Sequence, residues 1–527
     1  MNKNHVLFLL SLCLIFVDLL FFTGFYSSDD MSYWASIFSL SSGVLPSPGL
    51  VGYRLTTTLP AALIYSLSHS FFLTTASYLL YHLGIAFIAY FLGSLLFSYQ
   101  LGLLSFFLIS FYPGFYIYAG AVLPDLPQAF WLGLSLFFIL LYQKKQNILS
   151  ERSLYFFVFS SGLATGFAYG AKISGIIFVV PLSLSLLCIH YKEYKKLFIS
   201  GLFLILGVFS YLAFEFVIFY SYHGSLQFQI FSLSTHSDHY LEKMHAQGFY
   251  PWERFNYFLY RIKQIKGKNF WLLFLFSSFF TPVFSRKNKE DFLSACILSF
   301  SFIFVFIYLT FGSTNFSQYR PPSIQVRYYA PCILPGVLLF SWFFFLLKNS
   351  IQLSFPKKRV VKILFFFIFS AVIGYPLKLV LSLSNNRSYT NIYGAHRSQA
   401  FLLAIKDIRL GLLSRDPIFL ENAYNRVSPI ILHNNLDVKL FNKNNLPDRF
   451  WLIRLAHPHL TNVLLKSLQK QGYKLRSRKS YHGAGFKFLA VKEALMPWTG
   501  EFTEVIEERK REKNNGFSAE AIYLVRN

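Results

Sequence analysis

Acidic residues are scarce in this chain. Its 527 residues hold 24 Asp and Glu against 49 Lys and Arg, and only 14% are charged. A soluble domain carries about 25% charged residues, so this is a membrane composition. Cysteines number four, Cys13, Cys188, Cys296 and Cys332, all in or beside apolar blocks. They offer neither a disulfide framework nor paired metal-ligand spacing, and each reads as a small apolar packing residue. G-x-G-x-x-G and P-loop sequences are missing, which leaves nucleotide binding unsupported. Internal repeats are missing as well. The formal charge of +25 would suggest nucleic acid in a soluble protein. No nucleic-acid motif accompanies it, and the basic residues lie mainly in loops and the C-terminal region. They read as topology signals and as attraction to anionic lipid head groups or phosphorylated substrates.

Apolar residues make up 54% of the chain and aromatics 20%, with 64 Phe. They fall in blocks long enough to span a bilayer, which takes about 20 residues each. Eleven spans are expected, near 5–24, 73–96, 101–119, 122–142, 153–171, 173–190, 198–220, 269–285, 291–311, 328–347 and 360–382. The first has no small-residue cleavage site after it and is read as a span, not a signal peptide. Residues 54–72 are apolar too, but Pro46, Pro48 and Pro60 break them up, so this segment reads as re-entrant or interfacial.

Basic residues set the orientation. Lys3, Lys144–Lys145–Arg152, Lys192–Lys195–Lys196, Arg286–Lys287–Lys289 and Lys348–Lys357–Lys358–Arg359 all fall on one side if eleven spans are correct. The positive-inside rule makes that side cytoplasmic. The N-terminus is then inside a plasma (inner) membrane and the C-terminal region is external, periplasmic in a cell with two membranes. The loop 221–268 runs against this rule, because it lands outside with Arg254, Arg261, Lys263, Lys266 and Lys268. Long loops weigh less in the rule, and an interfacial amphipathic segment facing lipid phosphate is expected there.

Three regions follow: a transmembrane body over 1–385, a small external α/β domain over 386–495, and a charged tail over 496–527. In the second, a helix is predicted at Phe401–Leu413 and strands at Pro417–Leu420, Val438–Phe441 and Phe450–Leu455. A helix at Leu460–Lys470 stops at Gly472. Tyr473–Arg478 and Phe486–Val491 read as a hairpin around His482–Gly485. In the tail, Glu501–Lys513 reads as a charged helix or as disorder.

Few acids means that each one placed near a span end calls for a reason. Asp29 and Asp30 lie side by side just after the first span, in Phe25-Tyr-Ser-Ser-Asp-Asp-Met-Ser-Tyr-Trp34. They suit a solvated helix start, where Ser and Asp cap and acids complement the dipole. They also suit a general base beside a water-filled cavity. Asp125, in Val122-Leu-Pro-Asp-Leu-Pro-Gln128, either starts the fourth span or faces that same cavity. Lys172, in Gly166-Phe-Ala-Tyr-Gly-Ala-Lys-Ile-Ser-Gly175, could bind a phosphate or snorkel. Arg54 in the first external loop and Arg327-Tyr328 at the tenth span could fork onto phosphate or anchor the interface. His236, His239, Glu242 and His245 share one external loop. They could make a divalent-metal site, although exposed polar loops often hold such residues.

The order and sidedness of these residues resemble the family-39-type GT-C fold glycosyltransferases, which include protein O-mannosyltransferases and lipid A aminoarabinose transferases. The family pattern of an acidic pair after the first span, then Tyr and a small residue, is matched by Asp29-Asp30, Tyr33 and Ala35. Asp30 departs mildly from it, since Asp-Glu is frequent there. A further Asp before the fourth span is matched by Asp125, Lys-x-x-Gly after glycines by Lys172 and Gly175, and Arg-Tyr-x-x-Pro by Arg327, Tyr328 and Pro331. Arg54 matches only loosely. The resemblance covers roughly 1–385; the C-terminal domain resembles external domains that some members carry.

It implies a polyprenyl-phosphate sugar donor entering from the bilayer. The acceptor, a cell-envelope glycolipid, polysaccharide or protein, would arrive from outside. Transfer would be an inverting single displacement, with no certain cofactor. Asp29 would be the base, Asp30 or Asp125 would orient the acceptor or hold that base, and Arg54, Lys172, Arg327 and Tyr328 would meet the phosphate. The competing readings are a transporter or flippase, which should show inverted repeats, a ligase or polymerase for lipid-linked saccharides, and a non-catalytic scaffold.

Overall fold

The computed structural model describes residues 3–22, 30–46, 54–223, 250–264, 268–313, 324–354, 370–380, 417–420, 438–440, 446–456, 458–482 and 518–526. Helices dominate the first two thirds. In chain order they are α1 (Lys3–Leu20), α2 (Asp30–Ser41), α3 (Leu55–Ser68), α4 (Phe71–Ala76), α5 (Leu79–Leu96), α6 (Tyr99–Ser110) and α7 (Pro113–Ala119). Then come α8 (Asp125–Lys145), α9 (Glu151–Ala171), α10 (Val179–Ile189), α11 (Tyr194–His223), α12 (Pro251–Gln264), α13 (Lys268–Ser285), α14 (Lys289–Phe311) and α15 (Ala330–Ser354). A short apolar helix, α16, covers Ser370–Val380.

Each expected span carries a helix. Six are long and apolar enough to cross a membrane: Phe72–Leu96, Asp125–Lys145, Glu151–Ala171, Tyr194–Ser221, Lys289–Phe311 and Arg327–Ser350. Asn4–Leu19, Tyr99–Ser110, Ile173–Ile189, Phe270–Ser285 and Ser370–Val380 are shorter. The segment 101–119 is not one continuous helix. It ends at Ser110 and restarts with Pro113 as the first residue of α7, a position where the missing N–H and fixed φ of proline suit a helix start. The apolar stretch after Arg54 forms the 14-residue α3. At 1.5 Å per residue it rises about 21 Å, short of the ~30 Å hydrocarbon core.

The helix starting at Arg327 is the hub: 83% of the residues in its apolar 18-residue stretch are buried, against 33% in that of the helix at Tyr194. It packs against α5, α6, α8, α13 and α14, as a helix apolar on every side should. α11 instead presents Phe198, Ile205, Phe209 and Val217 outward, a face for lipid.

Side-chain bonds gather the basic connections at one end. Lys144 near the end of α8 pairs with Asp291 at 3.3 Å in the first turn of α14. The Tyr142 hydroxyl is hydrogen-bonded to His190 and Ser200. The connections around 145–151, 190–194 and 285–289 therefore share one end of the bundle, as expected. α12 belongs to the other end. Of its residues, Arg254 and Phe258 are buried while Tyr250 before it, Trp252 and Tyr260 are exposed. The Arg254 Nε donates to the carbonyl of Thr310 in the last turn of α14. One of the charges that breaks the positive-inside rule is thus an internal hydrogen-bond donor rather than a group facing lipid phosphate. The side chains of Arg261, Lys263, Lys266 and Lys268 lie outside the described residues.

The C-terminal region holds β1 (Ile418–Leu420), β2 (Val438–Leu440), β3 (Arg449–Ala456), α17 (Pro458–Lys470), β4 (Tyr473–His482) and β5 (Ser518–Arg526). Strand order is β2-β1-β3-β5-β4, parallel among the first three and antiparallel on both sides of β5. Leu464 and Leu468 of α17 pack on Phe419 and Phe450. Gly472 ends the helix with φ +88°, a conformation that glycine adopts without cost. Two expectations need correction. The tail is not separate from residue 496 onward, because 518–526 form a strand inside the sheet, with Ile522 and Leu524 buried at a period of two. β4 also runs on through His482 and pairs with β5, where a turn at 482–485 was expected. The predicted elements at 401–413 and 486–491, and the segment 501–513, lie outside the described residues.

Candidate functional site

Four helix ends meet opposite the basic connections. Asp125 opens α8, Lys172 caps the end of α9, Arg54 precedes α3, and Arg327 with Tyr328 occupies a 3₁₀ turn, Val326–Tyr329, leading into α15. Over its 21 residues α8 rises about 31 Å, so Asp125 is nearly a bilayer core away from Lys144. An acid in the first turn also complements the α8 dipole.

Asp125 is the centre. It is 2% exposed, with one carboxylate oxygen 2.7 Å from Lys172 Nζ and the other 3.7 Å from Arg327 Nε. Lys172 Nζ lies 3.3 Å from the centroid of the Tyr328 ring, and Arg327 lies 5.3 Å from the same ring, both within cation–π range. Arg327 Nε also donates to Gln325 Oε1 at 3.0 Å. Arg54 is within electrostatic reach of Asp125 and Lys172. Its guanidinium lies 5.5 Å from the ring of Tyr33, one helical turn beyond Asp30. Residues 54, 125, 172, 327 and 328, far apart in sequence, are thus one cluster.

Local chemistry holds each member. The Thr57 hydroxyl donates to the carbonyl of Ala171 at 3.4 Å and the Tyr78 hydroxyl to the carbonyl of Thr57 at 2.6 Å. The Thr56 hydroxyl donates to the Tyr211 oxygen at 3.1 Å. These bonds fasten the start of α3, and with it Arg54, beside Lys172. Gln128, one turn after Asp125 on the same helix face, donates to Ser174 Oγ at 2.9 Å and toward the Lys172 carbonyl at 3.4 Å. Sequence reasoning missed Gln128 and the threonines, although the i, i+3 spacing from Asp125 points to the first of them.

Gly175 lets the 3₁₀ turn after Lys172 lie on α9: a Cβ there would sit 2.5 Å from the Ala168 carbonyl carbon. Gly175→Ala is therefore expected to destabilise the protein by about 1–3 kcal/mol and to displace Lys172. Thermal unfolding in detergent checks the first effect, and turnover checks the second.

The backbone of Asp30 starts α2. The side chain of Asp30, and all of Asp29, lie outside the described residues. So do His236, His239, Glu242 and His245. Among the described residues, no group of three or more His, Cys, Asp or Glu is placed to hold a metal ion.

No family model matches the chain, and no curated protein matches it in sequence. Solved structures do match. ArnT from Cupriavidus metallidurans in the apo state aligns with a TM-score of 0.57 at 11% identity, over 88% of this chain and 95% of that one. The same protein bound to undecaprenyl phosphate aligns at 0.51 and 12%, over 90% and 96%. The chain has the GT-C fold. The archaeal oligosaccharyltransferase AglB from Archaeoglobus fulgidus, in complex with an inhibitory peptide and a dolichol-phosphate, aligns at 0.52 and 11%, over 84% of this chain and 64% of its own. At such identities the GT-C fold itself is what the likeness establishes, and the chemistry is argued from the side chains of this chain.

Proposed function

We propose that this chain is a membrane glycosyltransferase that moves a sugar from a polyprenyl-phosphate donor to an acceptor at the external membrane face. The observation that carries the reading is the convergence of Lys172, Arg327 and Arg54 on one buried carboxylate at a single end of the helix bundle. Arg forks and Lys point charges are the groups that recognise phosphate. The GT-C structures that contain undecaprenyl phosphate and dolichol-phosphate support a lipid carrier.

In the reaction, an acceptor O–H or N–H attacks the anomeric carbon. The bond from that carbon to the carrier phosphate oxygen breaks, and its electron pair leaves with the phosphate. Asp29 takes the acceptor proton, and Asp30 orients the acceptor. Arg54, Lys172 and Arg327 stabilise the charge that develops on the departing phosphate, as preorganised cations in a dry site do, and Tyr328 keeps the ammonium of Lys172 in place. Asp125 acts through the cations, fixing their geometry and offsetting their mutual repulsion. One displacement inverts the anomeric centre. The N-terminus lies in the cytoplasm and the C-terminal sheet outside.

The test uses the full chain in lipid nanodiscs with a set of radiolabelled polyprenyl-phosphate sugars, with and without nucleotide sugar. Transfer from a lipid donor alone is expected. Transfer only when nucleotide sugar is supplied would overturn the reading.

A further inference from the structure

One buried ionisable pair has no part in the chemistry above. Asp18 in α1 and His82 in α5 are 1% and 0% exposed, with His82 Nδ1 2.7 Å from Asp18 Oδ1. His82 Nε2 lies 3.1 Å from the carbonyl of Ile109 in the last turn of α6, and the Phe115 ring of α7 stands edge-on to the imidazole, with centroids 5.4 Å apart. A carbonyl oxygen can only accept, so Nε2 carries a hydrogen and donates it. On the other side of the ring, one proton lies between Nδ1 and the carboxyl: either Nδ1–H donates to the carboxylate, or the carboxylic acid donates to Nδ1. Both forms are neutral overall, which lets two titratable groups stay buried among apolar helices.

The location gives this pair its meaning. Asp18 stands two residues before the end of α1, and the segment with Asp29 follows. Ile109 stands at the end of α6. The chain then turns at Tyr112 into α7, which packs against the 3₁₀ turn of Arg327 and Tyr328, and reaches Asp125 six residues after α7 ends. The pair therefore ties the end of α1 to the end of α6, upstream of both acidic segments. We infer that Asp18 and His82 are positioning residues for sugar transfer: their shared-proton bond sets the path of 110–125 relative to the exit of α1. The inference rests on the transfer reaction proposed above.

The test compares wild type with Asp18→Leu/His82→Leu, which removes both polar groups and strands no charge, and with Asp18→Asn. The amide N–H of an asparagine can donate to Nδ1 while Nε2–H keeps its bond to Ile109, so that variant should rescue the geometry. Four quantities are read on the full chain in nanodiscs: kcat, KM for the lipid donor, the Kd of undecaprenyl phosphate, and hydrogen exchange over 113–128. For the double variant, kcat is expected to fall by about 10²-fold, as a misplaced reacting group does. Because Asp125 fixes the cations, its KM and Kd should weaken only severalfold, far less than kcat, and exchange over 113–128 should quicken while 130–145 is unchanged. Asp18→Asn should match wild type in all four.

Wild-type turnover in the double variant would overturn the inference. So would a parallel loss of Kd and kcat, which marks a plain folding role, and so would an Asp18→Asn variant as impaired as the double one. If the wild-type chain transfers no sugar, the transfer reading fails by itself. The exchange data then still decide the placement: unaltered exchange in the double variant refutes the positioning role.

Discussion

Lys172→Met is expected to cut sugar transfer by about 10²–10³-fold, the usual cost of removing one preorganised group that stabilises developing charge. The substitution has a second consequence. Asp125 is buried, with Lys172 at 2.7 Å and Arg327 at 3.7 Å, so losing the ammonium leaves its carboxylate with the weaker of these two partners. Breaking a buried pair from one side costs about 3–5 kcal/mol, and the single variant should unfold at a markedly lower temperature. Removing the carboxylate as well, in Lys172→Met/Asp125→Leu, should recover much of that stability. It should not recover transfer, because the phosphate still lacks its ammonium. The two effects therefore separate: thermal unfolding follows the pair, while kcat/KM follows Lys172. If the double variant regained turnover together with stability, Lys172 would be a structural counter-ion to Asp125 and not a phosphate ligand.

Asp29→Asn is expected to lower turnover by about 10²–10⁴-fold, the range of a positioned general base. An amide keeps the size and much of the hydrogen bonding of the carboxylate but cannot take up the acceptor proton. Membrane insertion, thermal stability and undecaprenyl phosphate affinity should all stay at wild-type values, because Asp125 and Tyr328 hold Lys172 and Arg327 in place. Single-turnover kinetics with a radiolabelled lipid donor give the comparison. Near-normal turnover in Asp29→Asn would remove that residue from the mechanism and shift the role of base to Asp30.

The membrane body was readable because two physical signals are written directly in the order of residues. Apolar blocks of spanning length mark helices, and basic connections mark one side. From these alone Arg54, Asp125, Lys172 and Arg327 fall at one end, and the structure brings them into contact distance or electrostatic reach of one another. Other features have no such signal. Asp18 and His82 are 64 residues apart within strongly apolar helices, and nothing in either helix announces that the other will face it. Arg254 looks like a surface charge because it sits in a basic segment, yet the amphipathic α12 turns it inward to Thr310. Strand β5 follows a run of charges whose composition resembles a tail. The alternation of Ile522 and Leu524 is too short to stand out against that background, and only pairing with β3 and β4 gives it a place.

On the proposed function, the cations around Asp125 hold the phosphate of a lipid carrier. Binding of undecaprenyl phosphate, with undecaprenol as the uncharged control, to the full chain and to Arg54→Gln/Arg327→Gln in nanodiscs tests it most directly. Wild type should bind the phosphorylated lipid far more tightly than the alcohol, and the double variant, left with Lys172 alone, should lose most of that preference while remaining folded. Equal affinity of wild type for both lipids, or a folded double variant with undiminished preference for the phosphate, would contradict it.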